Sequence, residues 1–151
     1  MPDADQDPAE LIEAYFERGW TDGLPVVPPT EKSMAQMLAG AGLRGEEVIG
    51  EIPARNVVVT ADKLAINAVL AGCRPEYLPV VVAAVRGLCH PDFAYHGPAS
   101  STGGSAIVLI VNGPIARTLG INSGNNVFGQ GVRANATIGR PLDTPGPGLR
   151  A

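Results

Sequence analysis

Several kinds of residue and pattern are scarce in this sequence, and each scarcity excludes something. Only two cysteines, Cys73 and Cys89, occur in 151 residues; in a chain read as cytoplasmic this favours two free thiols over a disulfide. Charged residues make up only 17%, the formal net charge is -4, and the 11 lysines and arginines are scattered without a run or stripe. That distribution supplies no electrostatic footprint for nucleic acid, which is not an expected partner. The N-terminal MPDADQDPAE is acidic and polar and has neither the basic start nor the apolar stretch of a secretory signal, so the expected compartment is the cytoplasm. The longest uncharged apolar stretch, 77–85, falls well short of the ~20 residues that cross a bilayer, so no membrane is expected either. Phosphate loop, GxSxG elbow, HExxH, CxxC and a strand-following GxGxxG are all missing. Cys89, His90 and His96 are too loosely spaced to close a four-ligand set, so no metal is expected, and no motif identifies a cofactor.

The hydrophobic fraction, 45%, suffices for a packed core, and the length suits one domain. The 19 glycines and 14 prolines cluster in TDGLPVVPPT, HGPASSTGGS, INSGNNVFGQG and RPLDTPGPG, so much of the chain is shaped loop. The expected organisation is a single α/β domain over 1–140 and a disordered Pro/Gly-rich tail over 141–151.

Asp7-Pro8 reads as an N-cap followed by proline at the first helical position, opening a helix over 8–18 that Gly19 ends. Residues 20–29 hold three prolines and cross the surface as extended chain. Thr30 caps a second helix bearing Met34, Met37, Leu38 and Ala41 on one face. Two short β-branched pieces, 48–52 and 56–59, read as strands separated by Pro53. Thr60 caps a third helix over 61–72, and a fourth follows over 75–88, opened either by Pro75 or, after a short turn, by Pro79. The unbroken apolar run AIVLIV over 106–111 is the expected buried central strand of a small mixed sheet on which the helices pack. A short helix over 114–119 and a last one opening near VRANATIGR complete the pattern.

Three loops offer chemistry. Cys73, between the third and fourth helices with Arg74 beside it, would be an activated nucleophile if it felt the positive end of the next helix. At the negative end of the preceding helix, or simply buried, it would be inert; Cys89 reads as packing. The prolyl segment holding Trp20, Thr21 and Asp22 would present them in fixed orientation, or would merely strap the core. Asn112 and the loop carrying Asn122, Ser123, Asn125 and Asn126 offer amides and backbone N–H groups to a polar small molecule, and are equally what left-handed turns require. Arg133 and Asn135 would face the same pocket. Lys63 and Asn67 share a helix face, where Lys63 would be a general base if buried and an ordinary solvated lysine if not. Cys73, Lys63 and Asp22 are therefore the candidate catalytic residues. Trp20, Thr21, Asn67, Arg74, Asn112, Asn122, Ser123, Asn125, Asn126 and Arg133 are the candidate substrate contacts.

The segments ERGWTDGLPVVPPT (17–30), INAVLAGCRPEYLPV (66–80), IVNGP (110–114), LGINSG (119–124) and RANATIG (133–139) resemble a bacterial family associated with, or fused to, UGSC-type (seleno)proteins. These are named for a selenocysteine or cysteine followed by Gly-Ser-Cys, and the resemblance spans about residues 8–141. It implies a partner chain with a reactive selenol or thiol, and redox or bond-cleaving chemistry on a small substrate, with this chain supplying part of the site. The UGSC motif itself is absent here, so the nucleophile would come from the partner or from Cys73. Family members continue past 138–140 with further helix and strand, whereas this chain turns into PLDTPGPG, which implies a truncated or divergent end. The expected function is thus a subunit or domain of a small-molecule enzyme, an oxidoreductase or lyase. A non-catalytic scaffold subunit and a small-ligand-binding module are the alternatives, and a second copy of the chain, in a homo-oligomer, is a candidate partner.

Overall fold

The computed structural model describes residues 7–103 and 106–143. Its first two helices begin where side chains satisfy the first free N–H groups, whereas at the third, Ala61–Leu70, the expected cap Thr60 makes no side-chain bond to the helix backbone. Asp7 Oδ1 accepts from Ala9 N at 3.0 Å to open α1, Pro8–Glu17. Thr30 and Ser33 exchange bonds, Ser33 N to Thr30 Oγ1 at 3.1 Å and Thr30 N to Ser33 Oγ at 2.9 Å, forming the capping box of α2, Glu31–Ala41. Gly42, at φ 63°, ends that helix in the left-handed conformation.

Strands β1, Val48–Ile52, and β2, Val57–Thr60, are joined by a 3-10 turn over Pro53–Arg55 and pair antiparallel. Ile52 lies opposite Val57 and Gly50 opposite Val59, with an irregularity between Val48 and Gly50. Thr60 leads into α3, Ala61–Leu70, and a 3-10 turn at Pro75–Tyr77 precedes α4, Leu78–Leu88. The turn comes first and Pro79 sits in the opening turn of α4, where its missing N–H costs no helical bond. Four short helices follow: α5, His96–Ser100; α6, Pro114–Thr118; α7, Arg133–Ile138; and α8, Arg140–Asp143.

The centre of the molecule is α3. Ala61, Leu64, Ala65 and Ala68 are wholly buried, as are Leu78 and Val81 of α4. A helix apolar nearly all round is one that others surround, and its alanines let them come close. Met34 and Met37 of α2, Ile49 and Val59 of the sheet, and Ala134 and Ile138 of α7 complete the main cluster. Each fully buried leucine contributes about 1.5–3 kcal/mol. Tyr15, Val26 and Leu70, with Trp20 against them, form a smaller cluster under α1. Gly40 marks where α2 touches the Pro75 turn backbone to backbone: a Cβ there would lie 2.5 Å from the Pro75 carbonyl oxygen.

The domain is therefore of α/β type, helices on a small antiparallel sheet, but its centre is not the expected strand. Residues 106–111 form neither helix nor strand and bond through their backbone to no other described residue. Val108 is 68% and Ile110 82% exposed, and only Leu109 of this run packs on the main core. An unbroken apolar run signals burial only if a neighbour comes to cover it, and α3 already fills that place. A second correction concerns the end of the domain. Pro141 is fully buried and Leu142 packs on the core, so the folded region runs past 140 to at least 143. The remainder of the expected tail, 144–151, lies outside the described residues. Among the described residues no helix is long and apolar enough to cross a membrane.

Candidate functional site

The three loops singled out from the sequence are tied together by one segment, Arg133 to Arg140. Ala134 and Ile138, four apart on α7, face the core, which turns the neighbouring polar groups toward the surrounding loops. Arg133 donates through Nε and a terminal nitrogen to the Gly72 carbonyl, at 3.0 and 2.8 Å. Asn135 Oδ1 accepts from Asn122 N at 2.8 Å while its Nδ2 donates to Asn122 O at 2.9 Å. The Thr137 carbonyl accepts from Cys73 Sγ at 3.0 Å. Arg140 grips the Asp22 carboxylate with two bonds of 2.7 and 2.6 Å and also reaches the carbonyls of Leu24 and Pro25. Residues 20–30, 70–73 and 122–127 thus converge as a closed clasp.

Cys73 belongs to the end of α3. Its N–H donates to Ala68 O and that of Gly72 to Val69 O, with Gly72 at φ 81°, so the chain leaves the helix through a left-handed C-terminal turn. The thiol therefore faces the negative end of a dipole, and it is only 7% exposed. Burial pushes its pKa up from 9.0 to about 11, against the smaller opposing pull of Arg133 and Arg140. Burial thus favours the neutral thiol near pH 7, the covered arrangement that is one of the two readings the sequence left open. Cys89 is half-buried, and its Sγ would lie 2.6 Å from a Cβ placed on Gly50, so it packs against β1, as expected of a packing residue. Its pKa too is raised by burial.

Asp22 is lowered below the usual carboxylate range, first by the hydrogen bonds from Arg140. Its charge is spent on that arginine. Trp20 lies against Tyr15, ring centres 5.5 Å apart, with the Arg18 guanidinium over its face. Thr21 is buried and accepts from Gly23 N; this part of the prolyl segment acts as the strap over the core. Lys63 donates to the Val58 carbonyl at 3.1 Å, tying α3 to β2. Asn67 is wholly buried, donates through Nδ2 to Lys63 O at 2.8 Å, and leaves Oδ1 without a hydrogen-bond partner among the described residues. Neither the Lys63 nor the Asn67 side chain bonds to the clasp. Arg74, Asn112, Ser123, Asn125 and Asn126 are exposed. Within the loop, Asn122 Nδ2 donates to Asn125 O, and Asn126 takes the left-handed conformation at φ 60°, so these amides shape turns.

A surface groove of about 210 Å³ lies between α1 and the strap, lined by Ile12, Glu13, Phe16, Thr21, Gly23, Leu24 and Pro25. It draws nothing from 73–77 or 112–126, and it is smaller than the roughly 300–1,000 Å³ of a typical small-molecule site. Among the described residues no group of three or more His, Cys, Asp or Glu side chains is placed to hold a metal ion. Arg140 and Thr137, which close the clasp, were not among the residues singled out from the sequence. One signal pointed toward this segment: Arg133 has no acid within nine residues of it in sequence, and an isolated cation tends to find its partners elsewhere in the fold. No protein-family profile, no curated protein and no solved structure matches the chain.

Proposed function

We propose that this chain is a non-catalytic scaffold subunit of a small-molecule enzyme, with the reactive selenol or thiol carried by a UGSC-type partner chain. The observation that carries this reading is the state of Cys73: covered, hydrogen-bonded to Thr137 O and raised to about 11. A nucleophile needs thiolate, and at pH 7 a thiol of that pKa supplies about one part in 10⁴. The other candidate groups are similarly committed, Asp22 to Arg140, Arg133 to Gly72 and Asn122 to Asn135. Side chains bonded to one another hold loops rigid, which suits a part that positions another chain. The resemblance to the UGSC-associated family supports the choice of partner.

Two measurements test this. Iodoacetamide labelling followed by mass spectrometry should modify Cys73 of the folded protein far more slowly than an exposed thiol at pH 8, and at an ordinary rate once the protein is unfolded; fast labelling in the native state would restore Cys73 as the nucleophile. A purified chain bearing the selenocysteine- or cysteine-Gly-Ser-Cys motif should co-sediment with this one. Independent sedimentation of the two at about 100 µM, where any complex tighter than that would form, would remove the scaffold assignment.

A further inference from the structure

Ala106 to Val111 is an apolar run that the fold leaves without a partner. Exposure alternates along it, with Ala106, Val108 and Ile110 exposed and Ile107, Leu109 and Val111 half-buried. A period of two is that of extended chain with one face down on the domain and one face up. Its N–H and C=O groups bond to no described residue. Proteins usually guard such a row with lysine, proline or an inward charge. Here no Asp, Glu, Lys or Arg lies anywhere between Asp92 and Arg117, and no proline lies within the run. A β-branched, uncharged, unpaired segment is a template for strand addition.

We infer that residues 107–111 pair antiparallel with the same residues of a second copy of this chain, forming a two-fold symmetric dimer. Symmetry and charge select this occupant. A two-fold axis perpendicular to the strand pair keeps equivalent faces on the same side, so residues opposite one another must have the same parity. Centred on Leu109, the register sets Leu109 against Leu109, Val108 against Ile110 and Ile107 against Val111. Every cross-strand pair is then apolar, and all but the central one are β-branched. The core-side residues of one copy continue those of the other, while Val108 and Ile110 of both merge into one stripe. Because the segment carries no carboxylate, ammonium or guanidinium, two copies approach without like charges meeting, whereas a charged partner strand would find nothing to pair with. A five-residue pairing lies at the small end of specific interfaces, under about 1,200 Å², so the dimer is a reversible one. This inference does not depend on the scaffold reading.

Sedimentation equilibrium of the full chain between about 1 and about 200 µM brackets a micromolar dimer, and the wild type should approach twice the chain mass at the upper end. Val108→Lys and Ile110→Glu should each sediment as monomers with unchanged circular dichroism and melting temperature, since both side chains project into solvent. An equimolar mixture of the two variants should recover the dimer, because the register sets the new lysine of one chain across from the new glutamate of the other. A wild type that stays monomeric at about 200 µM, or a dimer that both single variants retain, overturns the inference. A mixture that stays monomeric overturns the register.

Discussion

The Cys73 thiol supplies a sharp quantitative test, because its burial makes stability depend on alkaline pH in a calculable way. Its pKa is raised from 9.0 in the unfolded chain to about 11 in the fold. The neutral thiol is the form the fold prefers, so its contribution is fully present below pH 9 and is lost as pH rises through the folded value. Two pH units at 1.36 kcal/mol each set the full loss at about 3 kcal/mol, of which about 2 kcal/mol is gone by pH 11. Tyrosines, lysines and Cys89 titrate over the same range, so wild type alone would not isolate the effect. The difference in unfolding free energy between wild type and Cys73→Ala, from urea titrations at half-unit steps from pH 7 to 11, cancels them. That difference should be flat up to about pH 8.5 and then shift against the wild type by about 2 kcal/mol. A difference that stays constant to pH 11 would mean that the thiol is not held neutral by the fold, and the scaffold argument would lose its support.

Arg140→Ala removes a bidentate, charge-assisted pair whose side chains are 17% and 28% exposed, together with two bonds to strap carbonyls. Allowing for partial solvent screening, about 2 kcal/mol is expected, or a melting temperature about 4–8 °C lower. Because Asp22 is held below its ordinary value, the wild-type advantage is present above about pH 4 and shrinks as pH falls through the folded value, so melts at pH 7 and pH 2.5 should differ in their gap; an equal gap would refute the pairing. In Gly40→Ala the new Cβ would sit 2.5 Å from the Pro75 oxygen, and overpacking of about 2–3 kcal/mol exceeds the ~1 kcal/mol gained in helix propensity; denaturation should show a net loss, and a stabilised variant would contradict the contact. Asn67→Leu replaces a buried amide whose oxygen lacks a partner among the described residues, so stability should hold or rise by up to about 1 kcal/mol. A loss above about 2 kcal/mol would instead reveal a partner for that oxygen.

Local chemistry made the helix starts legible. Asp7-Pro8 and Thr30 act within three residues of themselves, so α1 and α2 begin where expected, and Pro53 lies between the two strands as read. The position of Cys73 was open, since a thiol three residues past one helix and a few before the next can belong to either; the Ala68–Cys73 bond settles it for α3. Arg140 was given no role because its partner, Asp22, lies 118 residues away and leaves no trace in local pattern.

The sequence by itself determined the class of the domain, the ends of its first helices and the residues available for chemistry, because caps, turns and periodicity are interactions between near neighbours. Only the tertiary structure decided that α3 and not 106–111 lies at the centre, and that the candidate polar groups close on one another. Burial depends on what arrives from elsewhere in the chain, and two largely apolar segments compete for one interior. The winner is the one whose alanines let its neighbours approach, and the loser is left with alternate residues facing outward.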